Sequence, residues 1–262
     1  MQLQNESSSV EFSAPYSVLA PIYDQMMSHV NYGRWADYIE AIIHKTGAEV
    51  DCVLDVGCGT GSFLREMRQR HWKVAGIDPS AQMLKVARKR LPNVPFREDG
   101  LPQLATVAPG EFAVITCLFD TMNYLPEISL VSAALDSVYQ KLASPGLFIF
   151  DLVGEENCKH YFNNYTENDV ISEELAYSRF CHYDRKNKIQ TNEIQMFTAD
   201  GVFEEIHHQK IFSYREVEKL IRRKKEFGIF GIFEGFSFRP VRNRSGRAHF
   251  VLQKRSDDDS TV

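Results

Sequence analysis

Between residues 35 and 154, short apolar runs alternate with stretches in which apolar residues recur at helical spacing. The runs CVLDVG, WKVAGID, FAVITCLF and LFIFDLV predict four buried strands. Between them, apolar residues repeat every three or four positions, as at Val131, Leu135 and Val138, which predicts amphipathic helices. Strands that are apolar on both faces and separated by helices are typical of a parallel sheet covered on both sides. The pattern therefore predicts a doubly wound, mostly parallel α/β domain over residues 35–154.

The pattern changes after residue 154. Residues 155–213 contain three stretches of alternating apolar and polar residues, separated by the turn signals DRKN and ADG, which predict an inserted antiparallel ribbon over the substrate. Residues 214–254 predict a closing helix and two further strands of the main sheet. Residues 1–34 are expected to form an N-terminal arm and lid, frayed over about the first 14 residues, and residues 255–262 a disordered tail.

Composition narrows the class of protein. The chain has 262 residues and a formal net charge of -5, so it lacks the broad basic surface that sequence-independent binding of nucleic acid requires. Its five cysteines include no CxxC pair and no cluster with zinc-ligand spacing, so we predict a reducing compartment and no metal site. No apolar run approaches membrane-spanning length. We therefore expect a cytoplasmic protein that binds neither nucleic acid nor a membrane.

The segment VLDVGCGTGSF, residues 53–63, places a glycine-rich loop between a strand and a helix. A dinucleotide fingerprint requires a third glycine at position 62, which is Ser62, and a phosphate-binding loop requires a Gly-Lys-Ser/Thr sequence that does not follow. Asp78 ends the next strand, where an acidic side chain can accept hydrogen bonds from both hydroxyls of a ribose. Asp99 follows a third strand, where a carboxylate can accept a bond from the amine of adenine. This spacing favours a nucleoside with a free 2′-hydroxyl.

Five segments, LDVGCGTGSF, GIDPSAQML, EDG, FAVITCLFDTMNYL and SPGLFIFDLV, follow one another in an order that resembles the motifs of class I S-adenosylmethionine-dependent methyltransferases. The preceding segment YSVLAPIYDQMM resembles the N-terminal segment of small-molecule methyltransferases such as glycine N-methyltransferase and the amino-sugar N-methyltransferases. The resemblance covers residues 16–154. It implies a Rossmann-like fold and the cofactor S-adenosyl-L-methionine.

The resemblance assigns one group of residues to the methionine and ribose parts of the cofactor. Gly57, Gly59 and Gly61 are expected to let the backbone approach the methionine part. Asp55 is expected to face its ammonium group, directly or through water. Asp78 is expected to hold the ribose.

A second group is assigned to the adenine and the sulfonium. Met83 is expected to pack on the adenine, and Asp99 with the following Gly100 to bind its edge. Leu118 leaves the strand predicted at FAVITCLF and is expected to line the sulfonium. Tyr23 is expected to close the pocket from the N-terminal lid.

The acceptor side is predicted from the edge of the sheet. The strand predicted at FAVITCLF is followed at its carboxyl end, where open α/β sheets bind ligands, by Asp120, Asn123 and Tyr124. His207 and His208 lie on opposite faces of a ribbon strand, so one of them can reach the cleft as a base near neutral pH. Alternation does not decide which one does, and we take His207 as the candidate. The predicted catalytic residues are Asp120, Tyr124 and His207.

These inferences predict an enzyme that transfers a methyl group in line to a small-molecule acceptor. An amine is slightly favoured over a hydroxyl, because a carboxylate at Asp120 suits an ammonium group and because of the amino-methylating relatives. Arg247, near the last strand, is a candidate clamp for an anionic substrate. Two alternatives stay open: a nicotinamide-dependent oxidoreductase, against which Ser62 counts, and a non-catalytic cofactor-binding module. The acceptor and the oligomeric state are also open.

Overall fold

The computed structural model describes residues 10–254, and the predictions for residues 1–9 and 255–262 lie outside the described residues. The strands form two separate sheets. The strands are β1 (Val10–Ser13), β2 (Val53–Val56), β3 (Val74–Asp78), β4 (Phe96–Glu98), β5 (Phe112–Cys117), β6 (Leu142–Val153), β7 (Tyr165–Ser172), β8 (Leu175–Asp184), β9 (Ile189–Thr198), β10 (Gly201–Lys210), β11 (Phe227–Glu234) and β12 (Arg247–Lys254). The helices are α1 (Tyr23–Met26), α2 (Tyr32–Thr46), α3 (Ser62–Gln69), α4 (Ala81–Arg90), α5 (Ile128–Lys141), α6 (Glu155–Tyr161) and α7 (Tyr214–Arg223), with a 3-10 turn at Thr121–Tyr124.

The larger sheet has seven strands in the order β11-β12-β6-β5-β2-β3-β4. The strands from β6 to β4 pair in parallel, whereas β12 pairs antiparallel with β6 and β11 antiparallel with β12. Helices cover both faces: one apolar core lies under α5 and α7, and another lies under α2 and α3. The predicted doubly wound, mostly parallel α/β fold is confirmed.

The smaller sheet, in the order β1-β10-β9-β8-β7, has more strands than the predicted ribbon of three. Strands β8, β9 and β10 are the expected antiparallel strands, and β7 extends the sheet at one edge. At the other edge β1 pairs in parallel with β10, with Val10 opposite Val202 and Ser13 opposite Glu205. The prediction of a frayed arm is therefore wrong for residues 10–13, because the edge of β10 offers backbone hydrogen-bond partners that are distant in sequence.

The segment from Tyr16 to Met27, which we call the lid, packs on the inner face of the smaller sheet. Leu19 and Ile22 are buried in one apolar cluster with Ile194 and Met196 of β9. The side chains on the other face of β9 do not take part in this cluster. The lid therefore lies between the smaller sheet and the carboxyl ends of the main-sheet strands.

A polar network ties the lid to the main domain. Arg90 of α4 forms an ion pair with Asp24 of α1 and donates a hydrogen bond to the carbonyl oxygen of Thr60 at 2.8 Å. The hydroxyls of Thr60 and Ser62 donate to the Asp24 carboxylate at 2.7 and 3.0 Å. Because Thr60 and Ser62 belong to the glycine-loop segment, the lid is fixed directly over that loop.

Gly76 of β3 is closely packed, and we expect that this position does not tolerate a side chain. A Cβ there would lie 2.7 Å from Sγ of Cys58, 2.8 Å from the Phe96 ring and 2.9 Å from Leu64. We expect Gly76→Ala to lower the free energy of unfolding by about 1–3 kcal/mol, because overpacking displaces these neighbours. Urea unfolding followed by circular dichroism measures the change. A variant as stable as the wild type would contradict this packing.

Candidate active site

The glycine loop adopts a backbone conformation that its glycines permit. Gly57 and Gly59 have φ angles of +76° and +53°, in the left-handed region that favours glycine. A Cβ on Gly57 would lie 2.6 Å from the side chain of Thr121, so the loop and the 3-10 turn approach each other closely. Gly57 is therefore packed against the turn, whereas a Cβ on Gly59 would meet no atom within 4 Å, so the loop backbone is open at Gly59.

A cavity of about 390 Å³, which we call the first cavity, lies between this loop, the carboxyl ends of β2 and β3, and the lid. The predicted site residues that line it are Tyr23, Asp55, Gly57, Gly59, Asp78, Met83, Gly100 and Tyr124. They come from distant stretches of the chain, and the parallel sheet brings them together because its carboxyl ends share one edge.

Two buried carboxylates make the first cavity negative. Asp78 accepts hydrogen bonds from the backbone N–H groups of Gly59 at 2.9 Å and Ser80 at 2.8 Å, and Asp55 accepts one from the hydroxyl of Thr116 at 2.7 Å. Burial raises the pKa of Asp78 to about 6 and the pKa of Asp55 to about 7, although these bonds oppose the shift. Neither carboxylate forms an ion pair with a lysine or arginine of residues 10–254. Both are therefore suited to accept an ammonium group or hydroxyl donors from a ligand.

Asp99 does not line the first cavity, contrary to the prediction that it binds adenine. Its carboxylate accepts bonds from the N–H of Gly100 at 2.8 Å and from the N–H and hydroxyl of Thr106, both at 2.7 Å. Partial burial acts to raise the pKa of Asp99, but these bonds outweigh it and hold the pKa below its usual value. Asp99 therefore stabilises its own loop through hydrogen bonds. Of the predicted pair Asp99 and Gly100, Gly100 is the residue that lines the cavity.

Leu118 and Gly61 also lie behind the cavity wall. Leu118 is buried in the apolar core, and the next residue, Phe119, lines the cavity. Phe119 and Asp120 have φ angles of +58° and +64°, so the chain turns sharply here and strand alternation does not continue. Gly61 precedes α3, and a Cβ there would face Ala87 of α4 at 3.5 Å. Gly61 therefore lies at the contact between α3 and α4.

A second cavity, also of about 390 Å³, adjoins the first. Four aromatic residues border both cavities, and we call them the aromatic collar: Tyr16, Tyr23, Phe119 and Tyr124. The polar residues that line the second cavity are His29, Asn31, Arg34, Asp120, Arg179, Asn192, His207, Gln209 and Arg247. The structure thus brings the three predicted catalytic residues to one cavity, next to the first. Sequence reasoning missed Tyr16, although it stands in the N-terminal segment that carried the resemblance.

Asp120 does not present an unpaired carboxylate, contrary to the expectation. Arg247 of β12 forms ion pairs with both Asp120 and Asp151, and the Asp151 side chain is fully buried. Burial raises the pKa of Asp151, whereas Arg247 opposes the shift. The guanidinium also lies 5.3 Å from the centre of the Trp35 ring. Arg247 is therefore neutralised by two carboxylates, so it is not the anion clamp that the sequence suggested.

Asn123 is also not a substrate-facing group. Its side chain is fully buried, donates to the carbonyl oxygen of Lys210 at 2.7 Å and accepts from the N–H of Val153 at 3.1 Å. These bonds connect the 3-10 turn to the end of β10 and the end of β6. Asn123 therefore holds the two sheets in register with the turn that carries Tyr124.

A hydrogen-bonded chain runs from the aromatic collar into the smaller sheet. The hydroxyl of Tyr16 lies 2.5 Å from the hydroxyl of Tyr124, which lies 3.0 Å from Nδ1 of His207, and Nε2 of His207 lies 3.1 Å from the Glu205 carboxylate. His207 is 2% exposed and faces the second cavity, whereas His208 is exposed on the other face of β10. Burial raises the pKa of both tyrosines, so their hydroxyls keep their protons near neutral pH.

No helix of residues 10–254 is both long and apolar enough to cross a membrane. Within the same residues, no three His, Cys, Asp or Glu side chains gather into a group that could hold a metal ion.

Comparisons with known proteins identify methyltransferases as similar to this chain. Residues 53–146 match the family model described as a methyltransferase domain. YqeM of Bacillus subtilis (strain 168), named as a methyltransferase, is 26% identical over 91% of this chain and 97% of its own length. The dTDP-3-amino-3,4,6-trideoxy-alpha-D-glucopyranose N,N-dimethyltransferase of Streptomyces venezuelae is 24% identical over 72% of this chain and 80% of its length. A crystal structure of an S-adenosylmethionine-dependent methyltransferase from Clostridium acetobutylicum ATCC 824 superposes with a TM-score of 0.76 at 22% identity, covering 91% of this chain and 98% of the other.

Together with the methyltransferase-domain match over residues 53–146, the fold and the glycine-loop cavity define an enzyme of the methyltransferase class. The domain match, the relatives and the shared fold support a class I S-adenosylmethionine-dependent methyltransferase. The first cavity fits the cofactor, because it combines an open glycine-loop backbone with two buried carboxylates that lack a cationic partner among the described residues. The alternative of a nicotinamide-dependent oxidoreductase is not favoured.

Asp78 gives a direct test of the cofactor cavity. We expect Asp78→Asn to weaken binding of S-adenosylhomocysteine by about 1–3 kcal/mol, because hydrogen bonds from the ribose hydroxyls to a charged acceptor are lost. Isothermal titration calorimetry measures the change. Glu98→Gln, at an exposed carboxylate at the end of the neighbouring strand β4, is the control and should bind like the wild type. Equal affinities of the wild type and Asp78→Asn would contradict the ribose contact.

The raised pKa values of Asp55 and Asp78 predict a pH dependence of the same binding. Both carboxylates become protonated in the free protein as the pH falls through about 7 and about 6, and the protonated forms attract an ammonium group less. We expect the affinity for S-adenosylhomocysteine to be at least about tenfold weaker at pH 5 than at pH 8. Asp55→Asn should show a shallower dependence. Titrations across this range that give one constant affinity would contradict the assignment.

Proposed function

We propose that the enzyme methylates an amine nitrogen of a small, hydroxylated, sugar-like acceptor bound in the second cavity. The observation that carries the proposal is the aromatic collar, where a cavity lined by polar side chains meets the cofactor cavity. S-adenosylmethionine supplies an electrophilic methyl group on a sulfonium. The collar positions the acceptor nitrogen in line with that methyl group and excludes water from the junction.

The hydrogen-bonded chain favours an amine over a hydroxyl. The ammonium form of an amine has to lose a proton before the nitrogen lone pair can attack the methyl group, and its pKa is close enough to that of histidine for transfer to an imidazole. We assign Tyr124 and Tyr16 to contact the acceptor nitrogen and His207 to accept its proton. Asp120 then orients the acceptor through its carboxylate, which Arg247 holds in place.

The comparisons support the acceptor class. The relative from Streptomyces venezuelae is named for N,N-dimethylation of a dTDP-linked amino sugar, and the similarity extends over most of both chains. The amide side chains of Asn192 and Gln209 line the second cavity and can bond sugar hydroxyls. Trp35, Phe162 and Phe236 add aromatic faces on which a sugar ring can pack.

We also propose that the enzyme works in the cytoplasm. All five cysteines are free thiols, and four of them are buried. This usage suits a reducing compartment.

Paired acceptors test the proposed function. The purified enzyme is incubated with S-adenosylmethionine and either a dTDP-linked amino sugar or the matching dTDP-linked sugar with a hydroxyl in place of the amine. We expect S-adenosylhomocysteine and a methylated product only with the amine, as detected by mass spectrometry. Methylation of the hydroxyl sugar alone would overturn the assignment to nitrogen.

His207 tests the proposed base. We expect His207→Phe to lower the rate of methyl transfer to the amine about 10²–10⁴-fold near pH 7, because the proton has no imidazole acceptor. Binding of S-adenosylhomocysteine should change only a few-fold, since His207 does not line the first cavity. His208→Phe is the matched control on the outer face of the same strand. Equal rates for the two variants would contradict the role of His207.

A further inference from the structure

Glu205 is a buried carboxylate to which neither the sequence pattern nor the proposed function assigns a role. It lies in β10 with no exposed surface. Its Oε2 accepts from the backbone N–H of Tyr16 at 2.6 Å, and its Oε1 accepts from the N–H groups of Val18 at 2.7 Å and Leu19 at 2.9 Å. Burial acts to raise the pKa of Glu205, but the bond from His207 and these backbone bonds outweigh it and lower the pKa. The side chain is therefore an anion near neutral pH, and three lid N–H groups depend on it.

The same carboxylate holds the far end of the hydrogen-bonded chain. Oε2, which accepts from the Tyr16 N–H, is also 3.1 Å from Nε2 of His207. With Glu205 ionised, Nε2 carries the proton and donates to it, which leaves Nδ1 as the acceptor of the Tyr124 hydroxyl. Tyr16 is therefore connected to Glu205 in two ways. Its backbone N–H donates to the carboxylate directly, and its hydroxyl is connected to it through Tyr124 and His207.

Few other charges face His207. The Tyr16 ring packs on it from the lid with centroids 4.6 Å apart, and Tyr124 approaches it from the 3-10 turn. Arg179, from β8, lines the same cavity and donates to the Asn192 side chain. The remaining charged or titratable residues that line that cavity are the Asp120–Arg247 pair, Arg34 and His29. Glu205 is the carboxylate in contact with the His207 ring, with Oε2 3.1 Å from Nε2.

We propose that Glu205 is a positioning residue that couples closure of the lid to assembly of the proton-accepting chain. This inference rests on the proposed function, in which the acceptor nitrogen forms a bond to the methyl carbon while the carbon–sulfur bond breaks. The nitrogen loses its proton to the chain, and Nδ1 of His207 receives the equivalent proton from Tyr124. The resulting imidazolium is stabilised by Glu205. Because Tyr16 is part of the lid, loss of the lid bonds to Glu205 also removes the first hydroxyl of the chain.

The experiment replaces the carboxylate and follows both ends of the coupling. The tautomer of His207 is measured by ¹⁵N NMR in the S-adenosylhomocysteine complex, and release of S-adenosylhomocysteine is measured by stopped flow. In Glu205→Gln we expect the fraction of the tautomer that carries the proton on Nε2 to fall, because the carboxylate that accepts from Nε2 is gone. We expect release to accelerate about tenfold, because the lid loses a charged acceptor. Glu204→Gln, at the neighbouring residue on the other face of β10, should change neither quantity.

Each outcome of this experiment decides the proposal. A smaller fraction of the Nε2-protonated tautomer of His207 together with faster release supports it. Faster release with an unchanged tautomer would mean that Glu205 only fastens the lid, and an altered tautomer with unchanged release would mean that it only orients the histidine; either result overturns the coupling. Neither readout needs an acceptor, so failure to find a methylated amine is a separate result that concerns the proposed function alone.

A second variant tests the coupling from the other end and covers the case in which Glu205→Gln does not fold. His207→Phe keeps a ring against Tyr16 but removes the donor that orients Glu205. If one carboxylate serves both ends, release of S-adenosylhomocysteine from His207→Phe should accelerate about two- to threefold, less than in Glu205→Gln. Release at the wild-type rate would overturn the coupling.

Discussion

Buried negative charge at the carboxyl ends of the main-sheet strands is the constraint on which the site depends. Asp55, Asp78 and Asp151 each stand at or near such an end, and each has a pKa raised by burial. Keeping a carboxylate ionised there costs free energy unless a donor or cation compensates it. The compensation differs between the two cavities. Asp151 has a permanent cation in Arg247, whereas Asp55 and Asp78 have hydroxyl and backbone donors and no ion pair within residues 10–254.

This difference explains why one edge of one sheet serves two ligands. The first cavity has negative charge available for the ammonium group and ribose hydroxyls of the cofactor. In the second cavity the Asp120 carboxylate is already paired with Arg247, and the lining also includes amides, aromatic faces and hydroxyls. Under the proposed function, an acceptor in the second cavity therefore does not compete with the cofactor for Asp55 and Asp78. The left-handed conformations of Phe119 and Asp120 are retained at this junction, where Arg247 fixes the Asp120 carboxylate.

The sequence predicted those features that depend on local pattern. Fully apolar runs separated by helices gave the main sheet, and the spacing of Gly57, Gly59 and Asp78 indicated residues that line one cavity. The errors arise where long-range contacts or turns decide. The pairing of residues 10–13 with β10 joins segments about 190 residues apart. The carboxylate of Asp99 accepts hydrogen bonds from its own loop and not from a ligand in the cavity. Strand alternation separated His207 from His208, but only the position of the lid determines which one is buried.

The two polar attachments of the lid are unequal, and the inequality has a physical consequence. The Asp24–Arg90 pair is partly exposed, with 34% and 20% of the two side chains accessible, so water can replace the bonds that break when it opens. Glu205 is fully buried, and loss of its lid donors leaves an anion in a site of low dielectric. The lid is therefore held more weakly on the side of Thr60 and Ser62, which line the first cavity, than on the side of His207. The lid therefore loosens first on the side of the cofactor cavity, and full opening then breaks the bonds to Glu205 and withdraws Tyr16 from the polar chain.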